Sequence, residues 1–424
     1  MKINDSLYQS YVDILNEELV PAMGCTEPIA LAYCAAVLKH HLGALPTKVD
    51  IIVSGNIIKN VKSVTVPHTK GMHGIEAAVA VGLIAGNHLH ELEVLKDVTD
   101  QHIAQIIPYM QQTSMTLTPA TNDHALYIEL VGYTNDDNAR VILRDSHTHI
   151  YLVEKNGIVL HKNEVENKVN TKNADTTLLN VESIVEFARI ANIDDVKKVL
   201  DRQISYNMAI AKEGLTNNYG ANIGQTILKY SGNDVMSYAK ALAAAGSDAR
   251  MNGCSMPVII NSGSGNQGLT ASLPVIAYAE RTNKSQEQLY RALIVANLCT
   301  IHIKNNIGVL SAYCGVVIAG ACCGAGISYL EGGDLDDISN TIVNTLAIIS
   351  GVVCDGAKSS CAAKISSSVE AAFLGYYMTR EGNNFFGGDG IVKKGVEKTI
   401  AAVGTLAKKG MCETDKEIIH IMLD

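Results

Sequence analysis

The chain has 424 residues, long enough for two or three domains with large cores, and 47% of them are apolar against 18% charged. A net charge of −9, with no basic run interleaved with aromatics, argues against a nucleic-acid partner. Ten cysteines behind a polar start, MKINDSLYQS, that reads as no signal peptide point to thiols or metal ligands in a reducing cytoplasm rather than to disulfides.

Residues 5–19 carry apolar positions at helical spacing, and a second apolar helix follows VPAMGCTEP. Thr26 as a cap and Pro28 in the first turn put Cys25 just before a helix N-terminus. There the helix field favours a reactive thiolate; the alternative is a buried cysteine in a turn. Cys34 reads as core. TKVDIIVSGNIIKNVKSVTVPHT predicts two short strands around Ser54-Gly55-Asn56. VPHTKGMHG then opens a helix. Its Thr69, Gly71 and Gly74 are placed either to present backbone N–H groups to a carboxylate or simply to cap that helix. Helical patterns follow at 92–95 and 99–112, and from Met115 to Lys162 the period switches to two, a β-meander with a turn at Lys155-Asn156-Gly157. His147 and His149, two apart, would share a strand face as a metal pair or as solvent-facing side chains.

The polar segment 163–180 reads as a linker. Beyond it everything reads as helix with glycine breaks: 181–190, 193–217, 220–231, 234–252, 268–281, 285–303, 306–330, 335–350, 362–380, 391–408 and 413–422. No fixed repeat period is present. Residues 305–330 carry no charge over a length that could cross a bilayer. Five glycines break the run and no Trp anchors it, so a buried central helix is the preferred reading and a membrane carrier the competing one. The loop Asn261-Ser262-Gly263-Ser264-Gly265-Asn266-Gln267-Gly268 suits a backbone nest for an anion or a tight fit around a small ligand. It lacks the Gly-Lys-Ser/Thr of a phosphate loop and the βαβ surroundings of a dinucleotide fingerprint. Cys314, Cys354 and Cys361 are compatible by spacing with three corners of an iron–sulphur cluster that leaves one iron open, but bare spacing is a weak signal and buried core thiols are the preferred reading at this point.

Five motifs in order, GCTEPIALA (24–32), VPHTKGMHG (66–74), SDARMNGCSMPVIINSGSGNQG (247–268), LSAYC (310–314) and CDGAKSSCAAK (354–364), resemble the L-cysteine desulfidase family over nearly the whole chain. The likeness extends more distantly to the iron–sulphur L-serine dehydratases. The resemblance implies Cys314, Cys354 and Cys361 as ligands of a 4Fe-4S cluster, one that aerobic preparation can strip, and Cys25 as a functional thiol at the mouth of the site. Cys254 departs from the expected pattern, and it is read with Cys299, Cys322, Cys323 and Cys412 as a non-ligand. The gap between the last two ligand cysteines is shorter than in the serine dehydratases, which bears on the substrate.

The implied reaction is β-elimination on a small L-amino acid, foremost L-cysteine to pyruvate, ammonia and hydrogen sulphide. Cys25 would act as base or occupy the open iron until substrate arrives. Arg250 and the loop residues Ser262, Gly265 and Asn266 would anchor the substrate, with Asn56, Thr69 and Asn305 as further contacts. The alternatives are a serine-dehydratase-like deaminase and, in another class, a metal-free amino-acid-binding protein. The expected fold is α+β: N-terminal helices (1–45) packing on the helical domain, an α+β domain with a small antiparallel sheet (46–180), and an all-helical catalytic domain (181–424). The expected partner is a small amino acid, with neither nucleic acid nor membrane, and a homo-oligomer is compatible with the sequence. Two geometric expectations follow. The three sulfurs should converge in one cavity, and Cys25 should reach it.

Overall fold

Alternation decides the sheet. In β2 (Lys48–Val53) Val49, Ile51 and Val53 point into the core while the intervening residues face outward. The computed structural model, which describes residues 4–122, 124–163, 174–308 and 311–423, is of mixed α+β class, with sixteen α-helices among the described residues. The chain runs α1 (Asp5–Glu18), β1 (Pro21–Met23), α2 (Thr26–Leu42), β2, α3 (Gly55–Val61), α4 (Ile75–Ala85) and α5 (Asp100–Gln112). Strands β3 (Ser114–Pro119), β4 (Tyr127–Tyr133), β5 (Asn138–Arg144), β6 (Ile150–Lys155) and β7 (Ile158–Lys162) follow. The sheet order is β3-β2-β4-β5-β6-β7.

Two expectations are corrected here. Only β4 to β7 form an antiparallel meander; β3 lies on the far side of β2 and pairs with it in parallel, so the six-stranded sheet is mixed. The second short strand expected after Gly55 is helix α3, because Ile57, Ile58 and Val61 form a helical stripe that is buried as one face.

The second half is helical: α6 (Val181–Ile190), α7 (Ile193–Thr216), α8 (Ile223–Ser231), α9 (Val235–Met251), a short strand β8 (Pro257–Ile259), α10 (Gly265–Arg281), α11 (Gln286–Ile307), α12 (Gly315–Leu330), α13 (Leu335–Ile348), α14 (Cys361–Arg380), α15 (Val396–Thr405) and α16 (Cys412–Leu423). The linker expected over 163–180 falls largely on residues outside those described. Apolar side chains collect in two cores. One joins the sheet with α2, α3 and α4; the other joins α1 with α6, α7 and α9 to α15, while α16 packs on α3. The two N-terminal helices thus pack on different cores.

The expected helix 306–330 is two elements. Gly308 ends α11 at φ +91°, a conformation glycine adopts without strain, and α12 restarts only at Gly315. Small residues let α12 sit at the centre of the helical body: a Cβ at Gly320 would meet Ser368, and one at Gly326 would meet Ala292. No described helix is long and apolar enough to cross a membrane.

Candidate active site

Two short pairings position the chemistry. Strands β1 and β8 pair antiparallel, Ala22 opposite Val258, which brings the segment entering Cys25 beside the turn Asn261–Ser264; the expected loop 261–268 is corrected to this turn plus the first residues of α10, which Ser264 caps through the Gln267 N–H. An isolated bridge between Tyr313 and Val353 does the same for two cysteines forty residues apart in sequence: Cys314 N–H donates to the Val352 carbonyl (3.1 Å) and Cys354 N–H to that of Ala312 (2.6 Å). Cys314 is the N-cap of α12 and Cys361 the first residue of α14. Cys314, Cys354 and Cys361 therefore line one cavity of about 150 Å³, together with Cys25, Glu27, Lys59, Asn60, His147, Arg250, Ser262, Asn266, Gln267 and Lys304.

The loop carrying Cys354 and Cys361 has little freedom to move. At Gly356, φ is +98° and a Cβ would come within 2.0 Å of the Lys59 carbonyl oxygen. Cys361 Sγ reaches the Gly356 carbonyl at 3.6 Å. The Cys354 thiol is held below the ordinary thiol value, because the Cys314 thiol hydrogen-bonds to it and the Lys59 and Lys364 ammonium groups lie close; Cys314 is correspondingly raised. Lys364 pairs with Asp355 and bonds the Val353 carbonyl (2.7 Å), while buried Lys59 pairs with Asp415 of α16. Lys304, 9% exposed and without an ion-pair partner among the described residues, is lowered to about 8 by burial. Among the described residues no three His, Cys, Asp or Glu side chains are drawn together as a single-ion site.

The other wall begins at Cys25, the N-cap of α2. Its thiol donates to Glu27 Oε2 (3.0 Å), and burial with the adjacent carboxylate holds it well above the ordinary thiol value. The expected resting thiolate is thus corrected, since the field of one helix end is outweighed by burial and a neighbouring anion. Burial acts to raise Glu27 as well, yet His147, the Cys25 thiol and the local backbone hold it below the usual carboxylate range. Asn60 Nδ2 donates to Glu27 Oε1 (3.0 Å).

Arg250, at the end of α9, is 4% exposed and bonds Asn266 Oδ1 (3.2 Å); its Nε has no partner. Gly265 makes room for it, because a Cβ there would lie 2.3 Å from that Nε. Ser262, at φ +50°, turns the loop and donates to Asn261 Oδ1 (2.8 Å).

Four expected contacts lie outside the cavity lining: Gly265, which only makes room for Arg250, and Thr69, Asn56 and Asn305. Thr69 Oγ1 donates to the Val66 carbonyl (2.7 Å) and accepts from Met72 N–H (3.1 Å), closing its own turn. Asn56 bonds the Ala125 carbonyl (3.2 Å), and exposed Asn305 bonds that of Thr176 (3.0 Å), so its neighbour Lys304 faces inward instead. His147 and His149 do not act as a strand pair: both precede β6, and His149 Nδ1 contacts the Arg144 carbonyl (3.1 Å) while His147 lines the cavity. Cys254, Cys299, Cys322 and Cys323 are buried elsewhere in the helical core, and Cys412 is exposed.

With all of the ligand-type cysteines on one wall, the comparison with known proteins is informative. Residues 89–420 match the family model described as serine dehydratase alpha chain. The chain belongs to the serine dehydratase alpha chain family. Relatives of similar length include a UPF0597 protein of Desulfitobacterium hafniense, 55% identical, with 100% of this chain aligned to 99% of that one. A UPF0597 protein of Lachnoclostridium phytofermentans is 49% identical over 99% of this chain and all of its own length. One from Treponema denticola is 47% identical over the full length of both. Those names carry no substrate. Serine dehydratase membership supports the wider of the two likenesses seen in the motifs.

Proposed function

We propose that the protein is a lyase that eliminates the β-substituent of a small L-amino acid, with L-cysteine as the principal substrate. The observation that carries this reading is the convergence of Cys314, Cys354, Cys361, Cys25 and the unpaired Arg250 on one cavity. The three thiols suit a 4Fe-4S cluster. They come from separate elements, one is already biased toward thiolate, and Lys59, Lys304 and Lys364 lie near enough to offset the cluster's negative charge. Bound there, a cluster with one open iron would supply a Lewis acid for the departing group.

The chain's own residues do the rest. Arg250, short of one partner and buried, holds the substrate carboxylate. Cys25 stands to take the Cα proton once ionised; Arg250 favours that ionisation and Glu27 opposes it. As the Cα–H electrons form the Cα=Cβ bond, the Cβ–S bond breaks and its electron pair leaves on sulphur as hydrosulphide. The aminoacrylate so released tautomerises and takes up water, giving pyruvate and ammonia. Elimination from L-serine differs only in losing hydroxide, and the serine dehydratase membership favours it as the second reading.

Anaerobic reconstitution with iron and sulphide tests the proposal. The expected result is a brown protein carrying about four irons, sulphide release from L-cysteine and pyruvate from both amino acids. Protein that binds no iron under these conditions, and eliminates neither substituent, would sink it.

A further inference from the structure

Glu27 is a buried carboxylate whose partners are all neutral: the thiol of Cys25, the hydroxyl of Thr26 (3.1 Å) and the amide of Asn60. Among the described residues no cation lies within ion-pair distance of it. An ionised carboxylate removed from water without a counter-charge is costly, and three neutral donors leave part of its acceptor capacity unused. Beside it in the cavity is His147, whose Nε2 is buried and has no hydrogen-bond partner. A neutral imidazole nitrogen in that position can accept a hydrogen bond.

The opposite charge is also present and also unpaired. Arg250 and Lys304 are buried cations with no carboxylate partner among the described residues, and the side-chain carbonyl of Gln267 is buried and unsatisfied between the loop and the thiols. One cavity thus holds an anion and cations that make no direct ion pair: Arg250 and His147 act on Glu27 only at longer range. A ligand carrying both charges on adjacent atoms resolves both deficits at once.

Building on the reading of the site as one for amino-acid elimination, we propose that Glu27 and His147 form the subsite that receives the substrate's α-ammonium group. The cavity then reads a free α-amino acid rather than a carboxylate or a thiol alone. An ammonium seated there also offsets the Glu27 charge that keeps Cys25 protonated, so substrate arrival and ionisation of that thiol favour one another.

The test is equilibrium binding to the anaerobically reconstituted protein, with L-alanine as an amino acid that cannot eliminate and propionate as the same carboxylate without the ammonium. The parent should bind L-alanine about tenfold or more tightly than propionate. Glu27→Gln should weaken L-alanine by about ten- to hundredfold and leave propionate within about twofold, the loss of one charge-assisted hydrogen bond. His147→Asn, in a loop outside both cores, should show the same selectivity of effect at about three- to tenfold, and it carries the test if Glu27→Gln fails to fold. Equal binding of the two ligands by the parent, or equal weakening of both by His147→Asn, overturns the subsite. Turnover of L-cysteine without discrimination between L-alanine and propionate would leave the elimination reading standing and remove this one. Discrimination without turnover of L-cysteine or L-serine would do the reverse.

Discussion

Gly356→Ala should damage the site more than the fold. A Cβ at this position would stand 2.0 Å from the Lys59 carbonyl oxygen and 2.9 Å from its carbonyl carbon, both backbone atoms that cannot swing aside. An ordinary contact needs more than about 3.4 Å, so the loop must retreat by more than an ångström. The φ of +98° adds strain for any residue with a side chain. Backbone strain of about 1–3 kcal/mol and overpacking of similar size together predict a loss of about 2–5 kcal/mol if the loop holds its place. The less costly response is for the loop to move, carrying Cys354 and Cys361 away from Cys314. Gly351, at the other end of the same loop, has nothing within 4 Å of its Cβ position and provides the control. The assay pairs thermal unfolding with iron content after anaerobic reconstitution. Gly351→Ala should behave as the parent, within about 0.5 kcal/mol, while Gly356→Ala should bind less iron and lose at least about a hundredfold in elimination. If the two variants retain iron and activity equally, the Gly356–Lys59 contact does not hold the loop and this account of the site is wrong.

Cys354→Ser should lose iron and activity together, whereas Cys25→Ser should keep iron and lose about a hundred- to ten-thousandfold in rate, judged by iron counts beside sulphide release. Gly265→Ala should push Arg250 from its place, raising KM for L-cysteine with iron content unchanged. Asp248 is buried, with one oxygen unpartnered, and its pKa is raised to about 6, so it opposes folding once ionised. With a folded value above the unfolded one, stability falls as pH rises from about 4 to 6; Asp248→Asn should then gain up to about 3 kcal/mol at pH 7 and nothing near pH 3, measured by urea unfolding at both.

Much of this was legible because it is written locally. Period-two and period-3.6 patterns marked the meander and most helices, while the glycine content of 261–268 marked only the turn at 261–264, since Gly265 to Gly268 already open α10. What stayed hidden depends on partners distant in sequence. Parallel pairing of β3 with β2 is invisible in either strand alone. Glu27 and Lys304 sit in helices whose neighbours are apolar, and a local pattern places a charged residue on the solvent side by default. Here each turns into a cavity that exists only because β1 meets β8 and Tyr313 meets Val353. Asn305 and Lys304 differ by one residue, about 100° around a helix, and no local rule says which of the two faces inward. Cys25 does lie at the helix start, although the cap is Cys25 itself and not Thr26, which is the first residue of α2. Its protonation goes the other way because the thiol is buried and Glu27, two residues on, folds back onto it.

The division of the interior into two cores has a mechanical consequence. Glu27 and Asn60 belong to helices of the sheet core, while Arg250, Cys314 and Cys361 belong to helices of the other. The fastenings that line up the two walls near the cavity are small: the three-residue ribbon of β1 and β8, the backbone contact at Gly356, a minor apolar cluster of Cys25, Val64 and Met251, and the bonds of Lys59 to Asp415 and of Lys62 to the Met422 carbonyl in α16. A cargo held by both walls would work like a dowel between two boards. It would stiffen the joint across which it is gripped, and letting go would loosen that joint again.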